Sequence, residues 1–362
     1  MRTLSLAVLP GDGIGPEVVE QAVRVVKAVA RLSGRIEVAC EELPIGLAAF
    51  ERYGTTMPPV TMEGLDRNDA CLLGPLTTHL YTSAGMINAS GFLRKTRCLY
   101  ANIRPVRSYP GLASVHQDTD VVVVRENTEG FYADRNVLDG NGEMRISEDT
   151  VVSVRVVTRL ASTKVAEHAF RLARRRGGKR LVTAGHKANV LRHGCGLFLD
   201  ACRAVHAHYS DVSLNDMHVD ALAMRLVMKP QDFDVIVTTN MFGDILSDLT
   251  AGLVGGLGLA PGLNAGDSFA VAQAVHGSAP DIEGKGVANP CAEVLSAALL
   301  LDWLGEMRAW PEASAAGSAI ALAVEHAIAE GVALTPDLGG SASTVEFGDA
   351  IIRALPAVGD RV

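Results

Sequence analysis

Short β-branched runs alternate along this chain with longer stretches whose apolar residues recur every three or four positions. Runs of the first kind are LSLAVL (4–9), IEVAC (36–40), DACLL (69–73), VVVV (121–124), VVSVRVV (151–157), RLVTA (180–184) and DVIVTT (234–239), and each predicts a strand. Stretches of the second kind cover 17–32, 162–176, 292–305 and 317–331 and predict helices. In the first of them Val18, Ala22, Val25, Val26 and Val29 form one apolar stripe, with Glu20, Arg24, Lys27 and Arg31 mostly outside it. Such alternation implies an α/β protein with a substantially parallel sheet. The segment 134–157 breaks the pattern. There a turn-rich DGNG (139–142) precedes the alternating VVSVRVV, which predicts an antiparallel arm between βα units. The glycine-rich AGLVGGLGLAPGLNAG (251–266) has the make-up of a hinge, but its apolar content predicts that it stays packed.

Composition narrows the class. A length of 362 residues suggests about two domains, and 48% hydrophobic with 20% charged residues is enough to bury a large core. A net charge of −8 argues against general binding to nucleic acid or an anionic membrane. Cys40, Cys71, Cys98, Cys195, Cys202 and Cys291 are scattered with no CxxC pair, which fits free thiols in a reducing cytoplasm. No signal-peptide pattern and no apolar run of membrane-spanning length is present, so a cytoplasmic protein is expected.

The stretch NMFGDILSD (240–248) is the sharpest chemical signal. If a helix starts near Gly243, Asp244 and Asp248 stand on one face. Two like charges held together gain from a shared cation, and an all-oxygen pair suits Mg²⁺ or Mn²⁺. Taken alone, the pair reads as a solvated face with Asp244 capping the helix. Asp220, in HVDALAMRLV, is a candidate third carboxylate.

GDGIGPEV (11–18) supplies GxGxG rather than GxGxxG. It reads equally as a tight turn with Pro16 opening a helix and as a nucleotide contact. HGSAPDIEGKGVANP (276–290) is the better nucleotide candidate. Backbone N–H groups of His276, Gly277 and Ser278 would meet a pyrophosphate. Asp281 would accept from ribose hydroxyls and repel a 2′-phosphate, favouring NAD over NADP; a plain polar turn is the alternative. Arg94, Arg104 and Arg125 each sit at the edge of an apolar segment. Singly they read as surface ion-pair partners, and converging they would grip a di- or tricarboxylate. Tyr132 and Lys187 are candidate proton-transfer groups, against a buried tyrosine and a solvent lysine.

Together these segments resemble the metal-dependent β-decarboxylating dehydrogenases that act on isocitrate, homoisocitrate and 3-isopropylmalate. The matches are GDGIGPEV, GPLTT (74–78), LRK…LYANIRP (93–105), RENTEGFY (125–132), HKAN (186–189), NMFGDILSD, HGSAPDI…ANP and DLGGSAST (337–344), in family order over nearly the whole chain. The resemblance implies a two-domain, isopropylmalate dehydrogenase-like fold with a mixed, largely parallel sheet that is not a Rossmann fold. It implies a large domain from 1–105 plus 256–362, a small domain from 106–255, and a dimerisation arm at about 134–157. It also implies a homodimer that shares its active site across subunits.

By the same resemblance Arg94, Arg104 and Arg125 hold substrate carboxylates, and Tyr132 and Lys187 form the acid–base pair. Asp220, Asp244 and Asp248 bind Mg²⁺ or Mn²⁺, with Lys187 and Asp220 reaching in from the second subunit. His276, Gly277, Ser278, Ala279, Asp281, Ile282 and Asn289 hold the adenosine half of NAD, and Thr77 lies near the nicotinamide. Isocitrate enzymes carry a serine six residues before the first arginine and an asparagine four before it; here these are Asn88 and Ser90, the same types exchanged. Polar residues there argue for a malate with a polar 3-substituent, isocitrate first, ahead of homoisocitrate or 3-isopropylmalate. Glu283 stands where a small alanine is usual beside the nucleotide. A catalytically silent, ligand-binding relative is the rival reading, against which all eight catalytic, arginine and aspartate positions are filled.

Overall fold

The computed structural model describes residues 1–132, 136 and 142–355. In chain order the strands are β1 Arg2–Leu9, β2 Ile36–Glu42, β3 Ala70–Leu73, β4 Ala101–Arg107, β5 Asp120–Glu126, β6 Glu143–Ser147, β7 Thr150–Ser153, β8 Leu181–His186, β9 Ser213–His218, β10 Val235–Thr238, β11 Leu263–Ala265 and β12 Ala270–Ala272. The helices are α1 Gly15–Ser33, α2 Gly46–Tyr53, α3 Pro59–Arg67, α4 Ala89–Thr96, α5 Arg159–Arg176, α6 Arg192–His206, α7 Val219–Met228, α8 Asn240–Val254, α9 Cys291–Met307, α10 Pro311–Glu330 and α11 Thr344–Ala354.

Ten strands make one sheet in the order β2-β1-β3-β12-β11-β4-β5-β10-β8-β9. The flanks are parallel, from β2 to β12 on one side and from β5 to β9 on the other. The centre is antiparallel, through β12–β11, β11–β4 and β4–β5. This order departs from the dinucleotide-binding 3-2-1-4-5-6 arrangement, so the expectation of a mixed, largely parallel, non-Rossmann sheet holds.

Side chains alternate between faces along each strand, and the two faces differ. On one, Leu4, Leu6, Leu72, Ile103, Val122, Val124, Val182 and Val235 belong to a single core beneath α1, α5 and α9. On the other, apolar packing splits in two. One cluster holds Leu9, Leu43, Leu73, Leu93 and Val271; the other holds Val106, Val123, Leu222, Ile236 and Leu246. The gap between them falls on the antiparallel centre, where that face carries Asn102, Arg104, Arg125 and Asn264 instead of aliphatic residues.

Helix α1 buries its predicted stripe, starts with Pro16 in its first turn and ends at Gly34 in the left-handed region at φ 61. The glycine-rich stretch 251–266 is indeed packed, with Leu253, Val254, Leu259, Ala260 and Leu263 buried. The arm prediction is corrected in part. VVSVRVV is a strand only over Thr150–Ser153, paired with Glu143–Ser147, and beyond it the chain returns through a single bridge from Val156 to Gly130. Most of DGNG and residues 134, 135, 137 and 138 lie outside the described residues. Met144, Ile146, Val151 and Val152 on these two strands are 42–62% exposed. Both tryptophans are core residues: Trp303 and Trp310 are 3% and 4% exposed. Among the described residues no helix is long and apolar enough to cross a membrane, and all six cysteines are free.

Candidate active site

Register alone assembles the floor of the site. Asn264 on β11 stands opposite Asn102 on β4, which stands opposite Arg125 on β5. Arg104 is two residues beyond Asn102, hence on the same face. The Asn264 amide oxygen accepts from Arg94 Nε at 3.1 Å, Asn102 Nδ2 at 2.6 Å and Asn127 Nδ2 at 3.0 Å. Asn102 Oδ1 in turn accepts from Arg104 Nε at 2.6 Å. Two of the three predicted arginines are thus oriented by asparagines that sequence reading did not single out.

The third, Arg125, is 2% exposed and is aimed by helix α8. That helix begins at Asn240, three residues before the predicted start, with Thr239 at its cap position, so Asp244 is not a cap. Asn240 Oδ1 accepts from Arg125 Nε at 2.9 Å, and its Nδ2 donates to the Glu129 carbonyl at 2.8 Å. Gly243 lets the two elements touch, since a Cβ there would lie 2.6 Å from Arg125 Cβ.

Arg104 and Arg125 converge on Asp244. Arg104 Nη1 reaches Asp244 at 3.1 Å, Ser247 Oγ at 2.7 Å and Asp248 at 3.5 Å. Arg125 Nη1 donates to the same Asp244 oxygen, and the Tyr132 hydroxyl donates to the other oxygen at 2.8 Å. Burial opposes ionisation of Asp244, but Arg125, Arg104, the Tyr132 hydrogen bond and Arg94 outweigh it and hold the carboxyl below its ordinary value. Asp248 moves the other way: burial and the Asp244 charge raise it against the pull of Arg104. Arg104 itself is brought down to about 10, by burial and by Arg125 beside it.

A cleft of ≈ 250 Å³ joins Arg94, Arg104, Arg125, Tyr132, Asp244, Asn88, Ser90, Gln273 and His276. Asn88 caps α4, its side-chain oxygen accepting from Gly91 N at 3.1 Å. Thr78 lines the cleft, whereas Thr77 is buried and its hydroxyl donates inward to Ser278 Oγ at 2.7 Å. Lys187 and Asp220 are placed apart from this group. They pair with each other at 2.6 Å, Asp220 is largely exposed, and neither lines the cleft.

The glycine motif GDGIGPEV acts as a clasp between two loops. Asp12 N donates to Pro75 O at 2.7 Å and Ile14 N to Ser278 O at 2.9 Å. The Asp12 carboxylate accepts from Leu47 N at 2.7 Å, Thr77 N at 2.8 Å and Tyr81 OH at 2.6 Å. A Cβ on Gly13, at φ +59, would lie 2.1 Å from Ser278 O. The motif therefore holds the 276–290 loop rather than forming an anion cradle of its own.

In that loop His276 Nε2 is buried with no hydrogen-bond partner among the described residues, and burial lowers the ring's pKa. An orphaned ring nitrogen bordering the cleft fits a bound nucleotide that supplies its hydrogen bond. Gly277 faces open space; Ala279 takes the left-handed region at φ 40; Asp281 is exposed and Ile282 packs beside Ala279 and Ile14. Asn289 Nδ2 donates to Asp337 at 2.9 Å, which ties the loop to DLGGSAST. Glu283 is exposed. Among the described residues no group of three or more His, Cys, Asp or Glu side chains is placed to hold an ion. Asp244 and Asp248, both within reach of Arg104, are a donor pair that fits a hard divalent ion once further oxygen ligands join it.

Two guanidinium groups and a phenol gathered on Asp244, with Arg94 and His276 beside them, line one cleft dense in charged and hydrogen-bonding groups. Residues 5–351 match the family described as Isocitrate/isopropylmalate dehydrogenase, and the chain belongs to it. It is 43% identical over 352 residues to the 3-isopropylmalate dehydrogenase of Archaeoglobus fulgidus, covering 97% of this chain and 99% of that one. It is 44% identical over 353 residues to the isocitrate/homoisocitrate dehydrogenase of Thermus thermophilus, covering 98% and 99%. The crystal structure of isocitrate dehydrogenase from Methylococcus capsulatus matches with a TM-score of 0.85 at 40% identity, covering 97% and 99%. This is a family of decarboxylating hydroxy-acid dehydrogenases. Relatives named for three different substrates stand at comparable identity, so likeness does not choose among them.

Proposed function

We propose that this protein is an NAD-dependent, Mg²⁺- or Mn²⁺-requiring oxidative decarboxylase of a 3-substituted malate with a polar substituent, isocitrate first. It acts as a homodimer. The observation that carries this reading is the convergence of Arg104, Arg125 and Tyr132 on Asp244 within a cleft that also holds Arg94. On this reading 1–105 with 256–362 forms the large domain, 106–255 the small one, and the exposed apolar residues of β6 and β7 meet a second copy.

When bound, NAD⁺ supplies the hydride acceptor and the divalent ion supplies Lewis acidity at the substrate hydroxyl. Asp244 and Asp248, with the partner subunit's Asp220, would hold the ion. The loop from His276 to Asn289 would hold the nucleotide, with Thr77 behind its nicotinamide end. Arg94, Arg104 and Arg125 grip the malate carboxylates through paired hydrogen bonds, fixing C2 and C3. Asn88 and Ser90 face the 3-substituent. The partner subunit's Lys187 takes the C2 hydroxyl proton as the hydride leaves C2. Loss of CO₂ from the resulting 3-carboxy ketone leaves an electron pair at C3. Tyr132 delivers a proton there.

The test is a panel of isocitrate, homoisocitrate and 3-isopropylmalate with NAD⁺ and Mn²⁺, read by NADH and CO₂ formation in equal amounts. A preference of about tenfold or more for the apolar 3-substituent overturns the choice of isocitrate. NAD⁺ binding without NADH formation from any 3-substituted malate would make the chain a silent, ligand-binding homologue.

A further inference from the structure

The wall of the cleft that faces the 3-substituent carries a hydrogen bond whose direction is fixed from behind. Ser90, in the first turn of α4, has its hydroxyl 3.2 Å from Gln273 Oε1. Gln273 follows β12, is anchored by its own N–H donating to Gly262 O at 2.9 Å, and sends Nε2 to Gly74 O at 3.1 Å. A backbone carbonyl only accepts, so the NH₂ end of the amide must face Gly74. The amide oxygen then faces Ser90. It too only accepts, so the Ser90 proton must point at Gln273. What Ser90 turns toward the cleft is therefore lone pairs. Asn88 is constrained as well: its oxygen is drawn to the α4 cap through Gly91 N at 3.1 Å, so its NH₂ end points away from that cap.

We infer that Gln273 sets the substrate preference of the cleft by holding the Ser90 hydroxyl proton away from it. This rests on the dehydrogenase reading above and assigns a positioning residue within it. A carboxylate on the 3-substituent needs donors, and to use Ser90 it must draw that proton off Gln273. An uncharged substituent makes no such demand. Gln273 thus holds back carboxylate-bearing malates relative to uncharged ones, and does so through Ser90 alone.

Gln273→Met keeps the bulk of the side chain and removes the acceptor. The ratio of kcat/KM for isocitrate over 3-isopropylmalate should rise about tenfold, mostly through KM, with equilibrium affinity for isocitrate rising in parallel. In a Ser90→Ala background the methionine change should leave the ratio where Ser90→Ala put it. Simple loosening of the wall would lower both substrates alike and leave every ratio unchanged. An unchanged ratio in Gln273→Met, or a shift of equal size without the Ser90 hydroxyl, overturns the inference and leaves the dehydrogenase reading standing. A wild-type protein that oxidises no 3-substituted malate overturns both.

Discussion

Gly243 offers a test in which two physical effects have opposite signs. It lies in the first turn of α8, where replacing glycine by alanine ordinarily stabilises a helix by about 1 kcal/mol. Here the added methyl would lie 2.6 Å from Arg125 Cβ, 2.7 Å from its Cγ and 3.1 Å from its Cα. Those atoms belong to the root of a residue on a central strand, not to a flexible tip, so α8 or β5 must move. Overpacking of this kind costs about 1–3 kcal/mol, which exceeds the propensity gain. Gly243→Ala should therefore lose about 1 kcal/mol in urea unfolding. The larger effect is on chemistry, because the displacement separates Arg125 from Asp244, the very next residue on the helix. A misplacement of about 1 Å in such a constellation costs about a hundredfold in kcat/KM. Gly252, exposed on the same helix with nothing within 4 Å of its Cβ, is the control. Gly252→Ala should gain up to about 1 kcal/mol and keep full activity. If Gly243→Ala behaves like the control, the close approach of α8 to β5 does not govern the site.

Lys187→Met should leave substrate and NAD⁺ affinity within a factor of about two while slowing the chemical step by about 10²–10⁴-fold; single-turnover NADH formation checks it, and unchanged turnover removes Lys187 from proton transfer. Asp244→Asn and Asp220→Asn should each be inactive, yet mixing them through a dissociation cycle should restore about a quarter of wild-type activity, because half the dimers then carry one intact site; no recovery would place all three acids in one chain. Glu293 is fully buried on α9 with one oxygen accepting from Ala274 N at 2.9 Å, and burial raises its pKa to about 8. Its folded value lies above the unfolded 4.5, so its contribution to stability is full below 4.5 and is lost as pH climbs toward about 8. Glu293→Gln should flatten that decline, and parallel melting curves across this window for both proteins would count against it.

The parts of this molecule that were legible in the sequence are those whose signal is local. Strands β5, β8 and β10 announce themselves as β-branched runs and β1 and β3 as short apolar ones, and α1 as a stripe with proline at one end and glycine at the other. The missed strand β4, ANIRPVR, has arginines and a proline where a buried strand should be apolar. Its departure from the pattern is itself the signal, because the polar residues fill the gap between two apolar clusters. Strands β11 and β12 are three residues each and too short for periodicity to register. Arg94, Arg104 and Arg125 stand out at the edges of apolar runs, Asp244 by its spacing from Asp248, and Tyr132 as a proton-transfer group within RENTEGFY. Asn102, Asn240 and Asn264, which aim the arginines, carry no such signal, since a buried amide announces its partner only once the strands are in register. Asp12 was read within a glycine motif for its spacing, yet its carboxylate binds three donors and organises the loops around it.

Asp244 and Asp248 show why the acid pair is more than a solvated helix face. They are the same residue type, one turn apart on α8, and burial works against the ionised form of each. The groups on their oxygens distinguish them. Asp244 has two guanidinium groups and a phenol directly on its oxygens, and it is held ionised. Asp248 has Arg104 at 3.5 Å and the Asp244 charge beside it, and it is pushed toward the neutral form. The arginines are therefore already spent on Asp244, and a polyanionic ligand must compete for them. Whatever displaces Asp244 from Arg104 and Arg125 leaves two neighbouring carboxylates with less positive charge around them. Their repulsion then grows, and with it their affinity for a divalent cation. If the acid and the ion bind as proposed, this one exchange couples them, and by linkage the coupling runs equally in both directions.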